Sequence, residues 1–132
     1  MRILLDTHVW LWMIADPDRL NAETRALLAD RGNDLFLSAA SAWEIAIKHR
    51  IGRLPLPAPP EEFVPARLVR DGVTPLPVEH RHALRVASLP ALHRDPFDRL
   101  LVAQAQIERL VLATADEQLA GYPVETLRAD KR

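Results

Sequence analysis

The chain has 132 residues, 17 basic and 18 acidic, for a formal charge of −1, and it contains no cysteine. That balance excludes a strongly cationic coat for nucleic acid while leaving room for a local basic groove. The missing thiols exclude a disulfide framework and zinc sites built on thiolates.

A hydrophobic fraction of 48% with 27% charged residues fits a globular fold, and the length fits a single domain over residues 1–132. No apolar run approaches the ~18 residues of a membrane span. The opening Met1-Arg2-Ile3-Leu4-Leu5-Asp6 meets an acid too early for a signal-peptide core. A cytoplasmic location, with no membrane contact, is the expectation.

The first apolar run, Ile3 to Leu5, predicts a buried strand, and a helix can start at Thr7. Trp10 and Trp12 follow in a nearly all-apolar stretch. Asn21 can cap a helix from Ala22 to about Arg31. Leu35 to Leu37 predicts a second strand. Ser38 or Ser41 can cap the helix that runs to about Arg50 and stops at Gly52. Leu54 to Pro60 is too rich in proline for helix interior or central strand and reads as a stiff connection.

Helical stretches over Glu61 to Arg70 and His80 to Ser88 flank a strand at Val73 to Leu76. Pro96 to Arg109 is the clearest helix, with Asp95 as its cap. Strands at Val111 to Ala113 and, more weakly, Val124 to Leu127 complete the pattern, with a short helix from Glu117 to Ala120 between them. Strands that are continuously apolar are covered on both faces. Alternation with helices predicts an α/β fold with a mainly parallel sheet of four to five strands. Sites in such folds lie beyond the carboxyl ends of strands, where connections diverge to the two faces. With four glycines against eleven prolines, and neither GxGxxG nor GxxxxGK[ST] present, a Gly-rich nucleotide loop is excluded.

The acidic residues carry the chemistry. Asp6 and Asp116 each follow a predicted strand. Glu44 sits among small and apolar residues in Ala39-Ala40-Ser41-Ala42-Trp43-Glu44-Ile45, and Asp95 and Asp98 open the long helix. Each has a structural alternative: Asp6, Asp95 and Asp116 can cap helices, Asp98 can favour a helix dipole, and Ser41 with Glu44 can form a capping box. Together they can converge on one crevice. Repulsion and desolvation would then force some to take up protons unless a positive charge sits among them. Oxygen ligands with no cysteine and no paired histidines suit Mg²⁺ or Mn²⁺ rather than Zn²⁺. Hydrolysis of a phosphodiester by a metal-activated water is the expected chemistry. His80 and His82, two apart, do not face one another on a helix, and the histidines give no metal signal.

In these residues the chain resembles the PIN-domain ribonucleases, and most closely the VapC-type toxins of toxin–antitoxin pairs. The resemblance rests on Leu4-Leu5-Asp6-Thr7-His8, on Ser38 to Ile45, on Asp95-Pro96-Phe97-Asp98-Arg99-Leu100-Leu101-Val102-Ala103-Gln104-Ala105, and on Leu112-Ala113-Thr114-Ala115-Asp116, in that order. It implies an α/β/α sandwich and a metal-dependent endoribonuclease with Asp6, Glu44, Asp98 and Asp116 around Mg²⁺ or Mn²⁺. Asp95 and Thr114 are auxiliary candidates. It also implies an RNA substrate, a small cognate antitoxin and a homodimer.

Lys48, His49, Arg50 and Arg53 after the Glu44 helix, with His93, Arg94 and Arg99 around the helix acids, are candidates for RNA contact or ordinary solvated charge. Arg99 can instead pair with Asp98. The tryptophans are expected in the core, with part of Trp10 to Ile14 open to a dimer face or a partner helix. Two other readings stand beside this one. A phosphohydrolase with Asp6 as nucleophile would want an acid where the chain has His8. A non-enzymatic RNA-binding or dimerisation module would use its acids only as caps.

Overall fold

A computed structural model describes residues 1–131. Five strands form one sheet, β1 (Arg2–Leu5), β2 (Asp34–Ser38), β3 (Val73–Leu76), β4 (Val111–Thr114) and β5 (Thr126–Arg128). Their order is β3-β2-β1-β4-β5 and every pairing is parallel. The helices are α1 (Thr7–Ala15), α2 (Ala22–Ala29), α3 (Ala39–Arg50), α4 (Pro60–Asp71), α5 (His80–Arg85) and α6 (Pro96–Glu108). Short 3-10 turns at Pro17–Arg19, Val86–Ser88 and Glu117–Gly121 join them.

Central β1 explains the three layers. Its side chains alternate between faces. Ile3 and Leu5 pack with Val9, Trp10, Leu28, Ile45, Val64 and Leu68 from α1 to α4. Leu4 faces the other way, onto Leu101, Val102 and Ala105 of α6 and onto Leu89, Leu119 and Tyr122. The chain therefore builds outward from β1 through β2 to β3 with helices on one face. It then crosses to β4 with α5 and α6 on the other. The switch between the two directions falls between β1 and β4, at their carboxyl ends, where parallel sheets open a crevice.

The four strong apolar runs are strands where the pattern places them. β5 is shifted to Thr126–Arg128 because its ladder is set by β4, with Leu112 opposite Thr126 and Ala113 opposite Leu127. α2 stops at Ala29, short of Arg31, with Asp30 closing it through its N–H to the Ala26 carbonyl. α4 begins one residue early because Pro60 takes the first helical position, where its missing N–H costs nothing. β3 accepts Pro75 as an edge strand.

Trp10 is fully buried, but Trp43 is 63% exposed, against the expectation of a core role. The buried stripe of α3 is Ala40, Ser41, Glu44 and Ile45, and position 43 lies off it. Its ring instead meets Phe97 edge-on at 5.3 Å, bridging α3 and α6. His82 is buried as well. Its Nδ1 accepts from the Glu79 N–H at 3.0 Å and its Nε2 lies 3.0 Å from Glu108 Oε1, tying α5 to α6.

Asn21 clamps β5 to α2. Its Oδ1 accepts from the Thr24 N–H at 2.8 Å, and its Nδ2 donates to the carbonyls of Arg128 at 2.8 Å and Asp130 at 3.2 Å. Losing a cap costs about 1 kcal/mol, and leaving a carbonyl unpaired adds a similar amount. Asn21→Ala is expected to lower stability by ~2 kcal/mol, read as a reduced urea midpoint with an unchanged slope.

Candidate active site

Asp6 is the first residue past β1 and its N–H continues the ladder to the Ala113 carbonyl at 2.9 Å. Its backbone sits at the N-cap position of α1, yet its side chain makes no capping bond. Instead Oδ2 accepts from the Thr114 hydroxyl at 2.7 Å, across the switch point. The side chain is 5% exposed. Burial pushes its pKa above the ordinary aspartate value, and the charge of Glu44 adds to the rise. The Thr114 hydrogen bond works against it.

Thr114 does a second job. Its Oγ1 accepts from the Asp116 N–H at 3.0 Å, which fixes the turn that carries Asp116. Asp116 divides its oxygens: Oδ1 accepts the Gln118 N–H at 2.9 Å as a cap, and Oδ2 lies 2.7 Å from His93 Nε2.

Glu44 comes from α3, which is capped by Ser38 through the Ala40 N–H rather than by Ser41. Glu44 is thus inside the helix, and the capping-box alternative is not what the chain does. It is 6% exposed, and each oxygen has a partner: Oε1 lies 2.9 Å from Thr7 Oγ1 and Oε2 lies 2.7 Å from Lys48 Nζ. Thr7 Oγ1 is also 2.8 Å from Ser41 Oγ. One proton per hydroxyl satisfies all three groups if Ser41 donates to Thr7 and Thr7 to Glu44.

Asp98 lies in the first turn of α6, three residues after its cap. Asp95 fills that cap role, its Oδ1 accepting from the Phe97 N–H at 2.8 Å and from the Asp98 N–H at 3.5 Å. Asp98 Oδ2 is 3.3 Å from His93 Nε2. Its carboxyl is pushed up to about 7, first by burial and then by the charges of Asp6 and Asp95, with Glu44 adding to the rise and the His93 ring opposing it. Asp98 feels the charges of both Asp6 and Glu44, it lies with Asp116 beside His93, and Thr114 links Asp6 to the Asp116 turn.

Among the basic candidates, Lys48 is spent on Glu44. Arg99 makes no ion pair with Asp98; its guanidinium donates to the carbonyls of Pro90 and Val86, both at 3.0 Å, and holds the segment before α6 in place. Arg50, Arg53 and Arg94 are exposed, and His49 Nδ1 lies 2.9 Å from the Leu54 carbonyl. Two residues that touch the acids, Thr7 and His93, are not marked by the sequence as their partners. Thr7 is adjacent to Asp6, which is a local signal. The link from His93 to Asp116 spans 23 residues and leaves no periodic trace.

The donor set fits a hard divalent cation. Burial first, and the neighbouring carboxylates after it, work against the charged forms of Asp6 and Asp98, a cost that a bound cation would offset. Oxygen donors of this kind suit Mg²⁺ or Mn²⁺.

Comparisons with known proteins bear on the family and the fold. The PIN domain model matches residues 3–124. Ribonuclease VapC22 of Mycobacterium tuberculosis is 32% identical over 124 residues, 91% of this chain and 91% of that protein. Ribonuclease VapC16 of the same organism is 55% identical over 60 residues, so that the matched stretch spans 46% of this chain but only 43% of VapC16. The crystal structure of VapBC2 from Rickettsia felis bound to a DNA fragment from their promoter superposes with a TM-score of 0.73 at 17% identity, covering 98% of this chain and 100% of that one, a likeness of fold. A family match over nearly the whole chain, together with acids gathered at the switch point, shows that the chain belongs to the PIN domain family.

Proposed function

We propose that this chain is a divalent-metal-dependent endoribonuclease and the toxin of a toxin–antitoxin pair, with Asp6, Glu44, Asp98 and Asp116 as its metal-holding acids. The observation that carries this reading is a set of four carboxylates from four separate elements at the carboxyl end of the sheet, linked through Thr114, through His93 and through the charges that Asp98 feels. Helix capping accounts for Asp95 and for one oxygen of Asp116. It does not account for Asp6, Glu44 or Asp98, which disfavours a non-enzymatic module whose acids only cap. The ribonuclease names of the relatives support the activity, and pairing with a small antitoxin and a homodimer are part of the same reading.

When bound, Mg²⁺ or Mn²⁺ would offset the carboxylate charge, polarise phosphate oxygens and acidify water. The chain's own groups set the geometry. Thr114 holds Asp6 Oδ2 and the Asp116 turn, and Thr7 and Lys48 fix the two oxygens of Glu44. Arg50, Arg53 and Arg94 are exposed cations available to RNA phosphates. Hydrolysis by water, rather than by the RNA's 2′-hydroxyl, leaves 5′-phosphate and 3′-hydroxyl ends.

Asp6→Asn and Asp98→Asn keep shape but remove charge where the reaction concentrates it, and each is expected to lower RNA cleavage by at least ~100-fold with the fold retained. Mapping the ends of cleaved total RNA checks this. EDTA is expected to abolish cleavage, and either undiminished activity in Asp6→Asn or 2′,3′-cyclic phosphate ends would refute the assignment.

The same acids set a pH dependence in the metal-free protein. Folded Asp98 holds its proton up to about 7, whereas the unfolded chain releases it in the ordinary aspartate range. The folded state therefore loses stability as pH rises between those values, by a few kcal/mol at most for this group, and the loss is complete above them. In EDTA, Asp98→Asn is expected to melt higher than wild type at pH 8 and to match it at pH 4. Saturating Mg²⁺ or Mn²⁺ is expected to raise the wild-type melting temperature more at pH 8 than at pH 5.

A further inference from the structure

We propose that His93 is a positioning residue of this metal centre: it holds Asp116 through the proton on Nε2, with Asp98 beside it, and is not itself a ligand. The proposal rests on the metal-dependent reading above and concerns a residue that the acids alone do not explain. At first sight His93 looks like a ligand. Its Nε2 lies 2.7 Å from Asp116 Oδ2 and 3.3 Å from Asp98 Oδ2. One nitrogen and two carboxylate oxygens fall within 4.8 Å of one another, a spacing that suits a metal ion.

The other ring nitrogen decides against ligation. The Asp95 N–H points at Nδ1 from 3.0 Å. An amide N–H can only donate, so Nδ1 must offer a lone pair. A neutral ring carries one proton, which is then on Nε2, directed at Asp116. Nε2 has no lone pair to give a metal. Histidines that ligate metals show the reverse arrangement, with the outer nitrogen donating to a carboxylate or carbonyl.

The Asp95 amide is not free to turn and release Nδ1. Asp95 is the cap of α6, and Pro96 follows it at the first helical position. Upstream, the His93 N–H donates to Tyr122 Oη at 2.9 Å, and Arg99 holds the Pro90 carbonyl at 3.0 Å. Moving the proton to Nδ1 would set two N–H groups against each other in this fixed frame. His93 therefore orients Asp116 and leaves the donor set toward the metal all oxygen. This keeps the centre suited to a hard cation.

Two spectroscopic measurements and one binding measurement test this. In the metal-free protein labelled with ¹⁵N-histidine, long-range ¹H–¹⁵N correlations are expected to show His93 protonated on Nε2 alone. In the Mn²⁺-loaded protein, electron spin-echo modulation is expected to show no coupling from a coordinated nitrogen. His93→Ala is expected to weaken Mn²⁺ binding by ~10-fold or more, the usual effect of losing an outer partner of a ligand, with unchanged far-UV circular dichroism. A proton on Nδ1, a nitrogen coupling that vanishes in His93→Ala, or unchanged Mn²⁺ affinity in that variant would each overturn the proposal. A wild-type chain that binds no Mn²⁺ would overturn the metal centre and this proposal together, a result distinct from any of those three.

Discussion

Everything in the crevice depends on the pairing of β1 with β4. Leu5 lies opposite Ala113, so the next residue of each strand, Asp6 and Thr114, meets at the sheet's carboxyl edge. The bond between them joins positions 108 residues apart. A slip of one residue would turn one of the two side chains to the opposite face. The slip is opposed by packing on both sides: Ile3 and Leu5 are committed to one core, and Leu4 and Leu112 to the other. Each buried side chain of this size contributes about 1.5–3 kcal/mol, so the register is fixed by many times the energy of the hydrogen bond it delivers.

That surplus also offsets the cost of the acids. Burial works against the charge of Asp6 and Asp98, and the chain answers group by group. Thr114 gives Asp6 a hydrogen bond, Lys48 and Thr7 serve Glu44, and His93 and the Gln118 N–H serve Asp116. Asp98 is left with the least, and its carboxyl is the one pushed up to about 7. The incomplete compensation is what makes the crevice receptive to a dication: a site fully neutralised by its own side chains would have nothing to gain from one.

The segment from Leu89 to Asp95 shows how an irregular stretch is made rigid. It lies between a 3-10 turn and α6 and has no ladder of its own. Arg99 supplies donors to the Val86 carbonyl before it and the Pro90 carbonyl within it, Tyr122 receives the His93 N–H, and the Asp95 cap anchors its end. A guanidinium spent in this way serves the fold, whereas Arg50, Arg53 and Arg94 remain exposed. The same anchoring fixes the tautomer of His93.

Local chemistry alone made much of this legible. Three strands could be read from unbroken apolar runs, because a strand covered on both faces has no polar side to confuse the pattern, while β3 is an edge strand with Thr74 and Pro75 exposed. The start of α6 could be read from Asp95-Pro96, because a cap and a missing N–H act within one turn. The acids stood out because carboxylates placed after strands or among apolar residues need a reason to be there. Contacts between distant segments were not legible. Trp43 proved exposed because helix phase, not residue type, decides which side faces the core. The boundaries of β5 followed its neighbour β4. The roles of Thr7 and Ser41 depend on α1 packing beside α3, and those of Arg99 and His93 on partners brought close by the crossover from β3 to β4 and the turn after it. The sequence by itself determined which groups bear charge and which segments are apolar, since these are properties of single residues and short windows. The tertiary structure decided which oxygen each proton reaches, since that depends on separations of about 3 Å between atoms far apart along the chain.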